Sequence, residues 1–280
     1  MKTPLLDSLY NLYNIDSLPY GVINDKLGDV YESYCVAILK DASILNKIKS
    51  LKTPTQSLSI EETILVSILN KYGITDFSSI KSIDATTDIP PLPSGGNPKT
   101  DICATISYNN GNTQEITISC KQSTVTNIAL AEFDVKTICN GVGITDSRLK
   151  QLLIKHQTDA SAKNFTKNEK DELKSLISPY SRMFVRWVVT GSKDINSNSI
   201  QVPKIIVIFK LSHPTDKYNI NVGNGDYELK SFIVLSSEEY IDHIMLTDKG
   251  KPKSGGFGTG LSWTYATGSK GKKIQFKGKV

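Results

Sequence analysis

Pro98-Lys99-Thr100-Asp101, then Ile-Cys-Ala-Thr-Ile-Ser-Tyr108, Asn109-Asn110-Gly111, and Asn-Thr-Gln-Glu-Ile116-Thr-Ile118-Ser119-Cys120-Lys121 is the stretch from which the rest of the chain can be read. Two runs of alternating β-forming residues on either side of Asn-Asn-Gly predict a hairpin. Side chains alternate along a strand, so Ser119 and Lys121 share one face while Ile116, Ile118 and Cys120 take the other. Whether Asp101 joins Lys121 depends on the turn. A two-residue turn at Asn110-Gly111 sets Asp101 opposite Cys120, facing away. A three-residue loop over 109–111, with Gly111 left-handed, sets Asp101 opposite Ser119. It also matches Ile102 with Ile118 and Ala104 with Ile116, and this apolar match favours the three-residue loop.

An acid near the start of one strand, with a small polar residue and a lysine two apart on the next, resembles the residue pattern of the PD-(D/E)XK nucleases. Cutting a phosphodiester with water needs an anionic oxygen to hold Mg²⁺ and a cation to hold the water or the developing charge. Asp101 and Lys121 are the candidates for those roles, with Ser119 as a neutral oxygen between them. Such spacing also occurs in ordinary surface hairpins. Glu32, on a predicted N-terminal helix, is either an auxiliary acid or a solvated helix carboxylate.

The 280 residues carry a formal charge of +5, unevenly placed. Residues 249–280 hold eight lysines and no acid, whereas the other 248 hold 25 basic and 28 acidic side chains, a charge of −3. The C-terminal excess points to a polyanion. Glycine and lysine also suit a solvated tail, but Phe257, Trp263, Tyr265, Ile274 and Phe276 are interleaved with the lysines and argue for an ordered arm. No apolar run is long enough to span a membrane, and the N-terminus lacks the pattern of a signal peptide. A cytoplasmic protein is expected. The four cysteines, 35, 103, 120 and 139, show no zinc or redox spacing and read as reduced, buried thiols. His156, His213 and His243 lack metal-ligand spacing and read as structural or exposed, though His156 at a helix end could reach a phosphate.

Helices are predicted over 4–13, 25–40 (capped by Asp25), 59–73 (a Ser59/Glu62 capping box), 126–139, 145–156 (capped by Thr145), 166–178 (a Thr166/Glu169 capping box) and 237–246. Residues 84–97, rich in Pro and Gly, read as a loop. The apolar runs 184–190 and 205–211 read as central strands, with a weaker strand or turn region over 218–235. The expected architecture is α/β, a central mixed sheet flanked by helices with a basic C-terminal arm, in one domain: 1–97 helices and loop, 98–248 catalytic core, 249–280 DNA-binding arm. Within the arm, Thr264, Gln275 and Lys277 are chemically suited to base edges, and Lys270, Lys272 and Lys273 to phosphates. Chemistry alone assigns no lysine to base rather than phosphate.

Several collinear segments then converge. Asp25-Lys-Leu-Gly-x-x-Tyr-Glu-x-Tyr34, Pro98-Lys-Thr-Asp101, Ala131-Glu-x-Asp-Val-x-Thr-Ile-Cys139, Gly141-Val-Gly-Ile144, Lys155-His-Gln157, and the arm from Gly258 to Lys270 and Lys272 to Gly278 resemble the MspI-type type II restriction endonucleases. The resemblance covers almost the whole chain. It implies the restriction-endonuclease-like fold and Mg²⁺-dependent hydrolysis of both strands of duplex DNA at CCGG (C^CGG, with a 5′ overhang). It also implies a prokaryotic cytoplasm shared with a cognate DNA methyltransferase. Asp101 and Lys121 match the family's catalytic acid and lysine, and Thr264, Gln275 and Lys277 its base-contacting residues. Two positions depart from the pattern. Ser119 stands where the family has Asn, so a metal would rely on Asp101, the Cys120 backbone carbonyl, phosphate and water. Ala129 stands where the family has a serine at a DNA contact. The alternative these departures leave open is a DNA-binding protein of the same fold that cuts weakly.

Overall fold

The hairpin forms in the three-residue register. In the computed structural model, Ile102 pairs with Ile118 and Ala104 with Ile116, and Gly111 has φ 87°. The Tyr108 N–H donates to the Asn112 carbonyl and the Gly111 N–H to the Tyr108 carbonyl, which closes the loop over 109–111. The structure describes residues 3–50, 57–93, 96–194, 196–212 and 227–280, so His213 lies outside the described residues. The chain divides into two compact units, Met1–Val125 with Ser199–Ser236, and Thr126–Asn198 with Ser237–Val280.

The first unit holds a five-stranded mixed sheet in the order β1 (Ile80–Thr86), β2 (Ile102–Tyr108), β3 (Thr113–Ser123), β5 (Ile205–Leu211), β6 (Leu229–Ser236). Only the β3–β5 pair is parallel. Helices α1 (Pro4–Leu12), α2 (Tyr20–Lys40), α3 (Ala42–Lys49) and α4 (Ile60–Lys71) supply the rest of its core. The capping box at Ser59 and Glu62 forms as expected, and Ile64, Leu65, Ile68 and Leu69 are buried behind it. Each such side chain contributes about 1.5–3 kcal/mol relative to exposure. On α2, Tyr31 packs against Phe209 of β5 with ring centroids 4.8 Å apart. As expected for a central strand, β5 is buried on both faces. Two sequence expectations need correction here. Helix α2 begins at Tyr20 rather than Asp25, because Pro19, extended at φ −61° and ψ 144°, starts it. Residues 84–86, read as loop, finish β1, whose ladder with β2 is a long-range pairing the local sequence does not reveal.

The second unit carries a three-stranded antiparallel sheet, β4 (Asn127–Phe133), β8 (Ile274–Lys279), β7 (Ser262–Thr264), in that order. Around it are α5 (Val135–Val142), α6 (Ser147–Asp159), α7 (Lys167–Ile177), α8 (Ser181–Thr190) and α9 (Ser237–Met245). The helix expected over 126–139 is therefore a strand followed by a helix. A bulge between Ala129 and Ala131 breaks the strand's alternation, so apolar positions three apart imitate helical spacing. Asp134 then caps α5 through the Thr137 N–H at 2.7 Å. The expected strand over 184–190 is instead helix α8, since a short apolar run buried on all sides has the same pattern in either form. Arg182 and Arg186, one helical turn apart, both bind Glu238 of α9. Asp146 rather than Thr145 caps α6.

Candidate functional site

Asp101 lies just ahead of β2, with its N–H donating to the Ile118 carbonyl at 2.9 Å. Its Oδ2 accepts three donors: Ser119 Oγ at 2.9 Å, the Cys120 N–H at 2.7 Å and Lys121 Nζ at 2.7 Å. The Lys121 and Asp101 side chains are 24% and 19% exposed, so the ion pair is only partly shielded from water. Saturating Oδ2 orients the carboxylate and turns Oδ1 to other use. The N–H and C=O of a strand residue point to the same side. Because the Cys120 N–H faces Asp101, so does its carbonyl, beside the point where β2 starts.

Two further ionisable groups belong to this centre. Glu32 of α2 is half-buried, and its carboxyl pKa is raised to about 7, first by burial and then by the charge of Asp101, with Lys121 opposing. Lys99, which the sequence reading passed over, is half-buried, and its ammonium is pushed down to about 8 by burial and then by Lys121, with Asp101 opposing. Its position two residues before Asp101 was the available signal. The acid pair Asp101 and Glu32 with the Cys120 carbonyl is an all-oxygen donor set. It suits a hard divalent ion that keeps most of its waters and takes only one or two carboxylates. Among the described residues no group of three or more His, Cys, Asp or Glu is placed to hold a metal ion, so protein carboxylates would supply only part of a cation's shell. All four cysteines are free and buried.

The arm is ordered, as its aromatics suggested. In β8, Ile274, Phe276 and Gly278 are buried while Gln275 and Lys277 are half-exposed. Thr264 of β7 pairs with Gln275, and its hydroxyl donates to Gln275 Oε1 at 3.1 Å. Lys277 pairs with Ser262 on one side and with Ala129 on the other. Lys270, Lys272 and Lys273 are exposed on the connection between β7 and β8. The structure thus brings Thr264, Gln275 and Lys277 together on one face and leaves the other three lysines at its margin.

His156 anchors the arm and is not free to reach a phosphate. It is 3% exposed and is surrounded by the rings of Phe165, Phe257, Trp263 and Tyr265. The Tyr265 O–H donates to the His156 carbonyl at 2.5 Å, and the Tyr265 oxygen meets His156 Nδ1. Burial pushes the imidazole pKa down to about 4, against a small opposing pull from Asp159. The folded pKa is depressed, so neutral His156 contributes stability present above about 6.5 and lost as pH falls toward 4, amounting to about 3 kcal/mol. His156→Gln should remove that share of the acid sensitivity. Melting curves of the two proteins that stay parallel from pH 7 to pH 4 would count against this account.

A mixed sheet that presents an aspartate and a lysine from the two strands of a hairpin is the scaffold of the PD-(D/E)XK nucleases. A family profile described as restriction endonuclease MspI matches residues 14–278. The type II restriction enzyme MspI of Moraxella sp. is 36% identical over 282 residues, covering 99% of this chain and all of that enzyme. The type II restriction enzyme BsuFI of Bacillus subtilis is 26% identical over 272 residues, 94% of this chain and 61% of its own length. A crystal structure of MspI in complex with its cognate DNA superposes with a TM-score of 0.82 at 36% identity, over 99% of this chain and 100% of that one. The chain belongs to the MspI restriction endonuclease family and is a type II site-specific deoxyribonuclease. Among the described residues, no helix is long and apolar enough to cross a membrane.

Proposed function

We propose that the protein hydrolyses both strands of duplex DNA at CCGG, cutting C^CGG to leave a short 5′ overhang, with Mg²⁺ as the cofactor. The observation that carries this reading is the convergence of Ser119, Cys120 and Lys121 on one oxygen of Asp101, in a chain 36% identical to MspI along its full length. Asp101, the Cys120 carbonyl and Glu32 would hold Mg²⁺, which would neutralise charge at the phosphate. Lys121, fixed by its bond to Asp101, orients the attacking water and stabilises negative charge at phosphorus. The water oxygen bonds to phosphorus as the P–O3′ bond breaks, the water gives up a proton to solvent and O3′ takes one from solvent, leaving a 5′-phosphate and a 3′-hydroxyl. Ser119 acts through its hydroxyl, which holds the carboxylate of Asp101 in place. Thr264, Gln275 and Lys277 read base edges, while Lys270, Lys272 and Lys273 bind phosphates. Residues 1–280 serve this one activity as a single restriction endonuclease domain. A cognate methyltransferase protects the host DNA in the same prokaryotic cytoplasm.

Ser119 favours one second reading, a sequence-specific DNA binder that cuts weakly, because serine brings no charge to the cation. Digestion of a sequenced plasmid in Mg²⁺, with the ends mapped, separates the two. Ends at C^CGG are expected. Tight CCGG binding without cuts in Mg²⁺ or Mn²⁺ would establish the second reading, and ends elsewhere would overturn the target.

A further inference from the structure

Glu132 of β4 lies directly across from Gln275 of β8, which in turn lies across from Thr264 of β7. The neighbouring row is Ala129, Lys277 and Ser262. Opposed residues of an antiparallel ladder project from the same face, so Glu132 belongs to the face of Gln275 and Lys277. Regular alternation would forbid this, because positions 129 and 132 are three apart and should point to opposite faces. The bulge between Ala129 and Ala131 supplies the extra residue that turns Glu132 around. Glu132 is the only acid in the three strands. Its Oε1 accepts the Ser269 hydroxyl from the β7–β8 connection, which leaves Oε2 as an acceptor for a ligand.

A carboxylate on a DNA-reading face is repelled by phosphates. On a G·C pair the major groove offers it one donor, the N4 amino group of cytosine, since guanine O6 and N7 are both acceptors. Thr264 holds Gln275 Oε1, which leaves the amide nitrogen of Gln275 as a donor suited to guanine. Lys277 has the same preference. We propose that Glu132 is a specificity-determining residue that accepts a hydrogen bond from N4 of one cytosine in the target. It supplies the acceptor that Gln275 and Lys277 lack. This inference rests on the CCGG reading proposed above.

The test measures affinity with Ca²⁺ in place of Mg²⁺, on a CCGG duplex, a scrambled duplex, and two duplexes in which the outer or the inner cytosine of both strands is replaced by 2′-deoxyzebularine, which lacks the 4-amino group, so that neither orientation on the palindrome keeps the contact. Glu132→Gln keeps an acceptor for Ser269 but turns the second oxygen into a donor. The unaltered protein should lose about 10- to 100-fold on one modified duplex. Glu132→Gln should lose as much on CCGG and no more on that duplex. Equal binding of CCGG by both proteins, or losses that multiply, would overturn the proposal and leave Glu132 as a brace for Ser269. If the variant fails to fold, the unaltered protein decides, and the absence of loss on both modified duplexes overturns the assignment. No preference of the unaltered protein for CCGG over the scrambled duplex would overturn the target reading, and this inference with it.

Discussion

Lys121→Ala should lower the rate of cleavage at the proposed CCGG target about 10³-fold or more while leaving DNA affinity within a few-fold. Removing one group that stabilises transition-state charge typically costs about 10²–10³-fold, and removing a proton-positioning group about 10²–10⁴-fold. Lys121 would do both, from a position set by its 2.7 Å bond to Asp101. The fold should survive. Asp101 Oδ2 keeps the Ser119 hydroxyl and the Cys120 N–H as donors, so its carboxylate is not left unsatisfied. Single-turnover cleavage and equilibrium binding on the same duplex separate the two effects. A variant that cuts within tenfold of the unaltered rate would remove Lys121 from the chemistry.

Gly260→Ala should disable the enzyme from the other unit, through the arm's backbone. Gly260 has φ +74°, and a Cβ there would lie 2.1 Å from the Ile244 carbonyl oxygen at the end of α9. A left-handed non-glycine residue costs about 1–2 kcal/mol, and forcing atoms into a packed site about 1–3 kcal/mol more. The sum is a large share of the 5–15 kcal/mol that holds a typical domain together. Amide exchange should show lost protection in β7 and β8, with β2 and β3 still protected, and DNA affinity should fall with it. Gly268→Ala is the control, because its Cβ meets nothing within 4 Å and its φ is not positive. Equal protection in the two variants would show that the turn before β7 can relax.

How far the local sequence reaches is clearest at the hairpin. There the apolar match of Ile102 with Ile118 and Ala104 with Ile116 was enough to choose the loop, and the loop placed Asp101 opposite Ser119. The capping boxes at Ser59 and Thr166 were equally legible, because a cap is a bond between residues three apart. Residues 126–139 were not. Their apolar spacing is that of a helix, and only pairing with β8, some 140 residues further on, shows the bulge that produced it. The run 184–190 failed for a related reason, since burial on every side erases the period that separates helix from strand. Glu32 and Lys99 needed tertiary structure to acquire meaning, because their pKa values move through burial and through the charges of Asp101 and Lys121.

By itself, then, the sequence determined the hairpin register, the acid and lysine facing one another across it, the caps, and the basic, aromatic-studded character of the arm. These depend on neighbours close along the chain or on composition. The tertiary structure alone decided that 127–133 is a strand, that His156 is a buried anchor, and that Glu132 shares a face with Gln275 and Lys277. Each of those follows from long-range strand pairing or from packing between segments far apart in the chain, and neither leaves a local period to read.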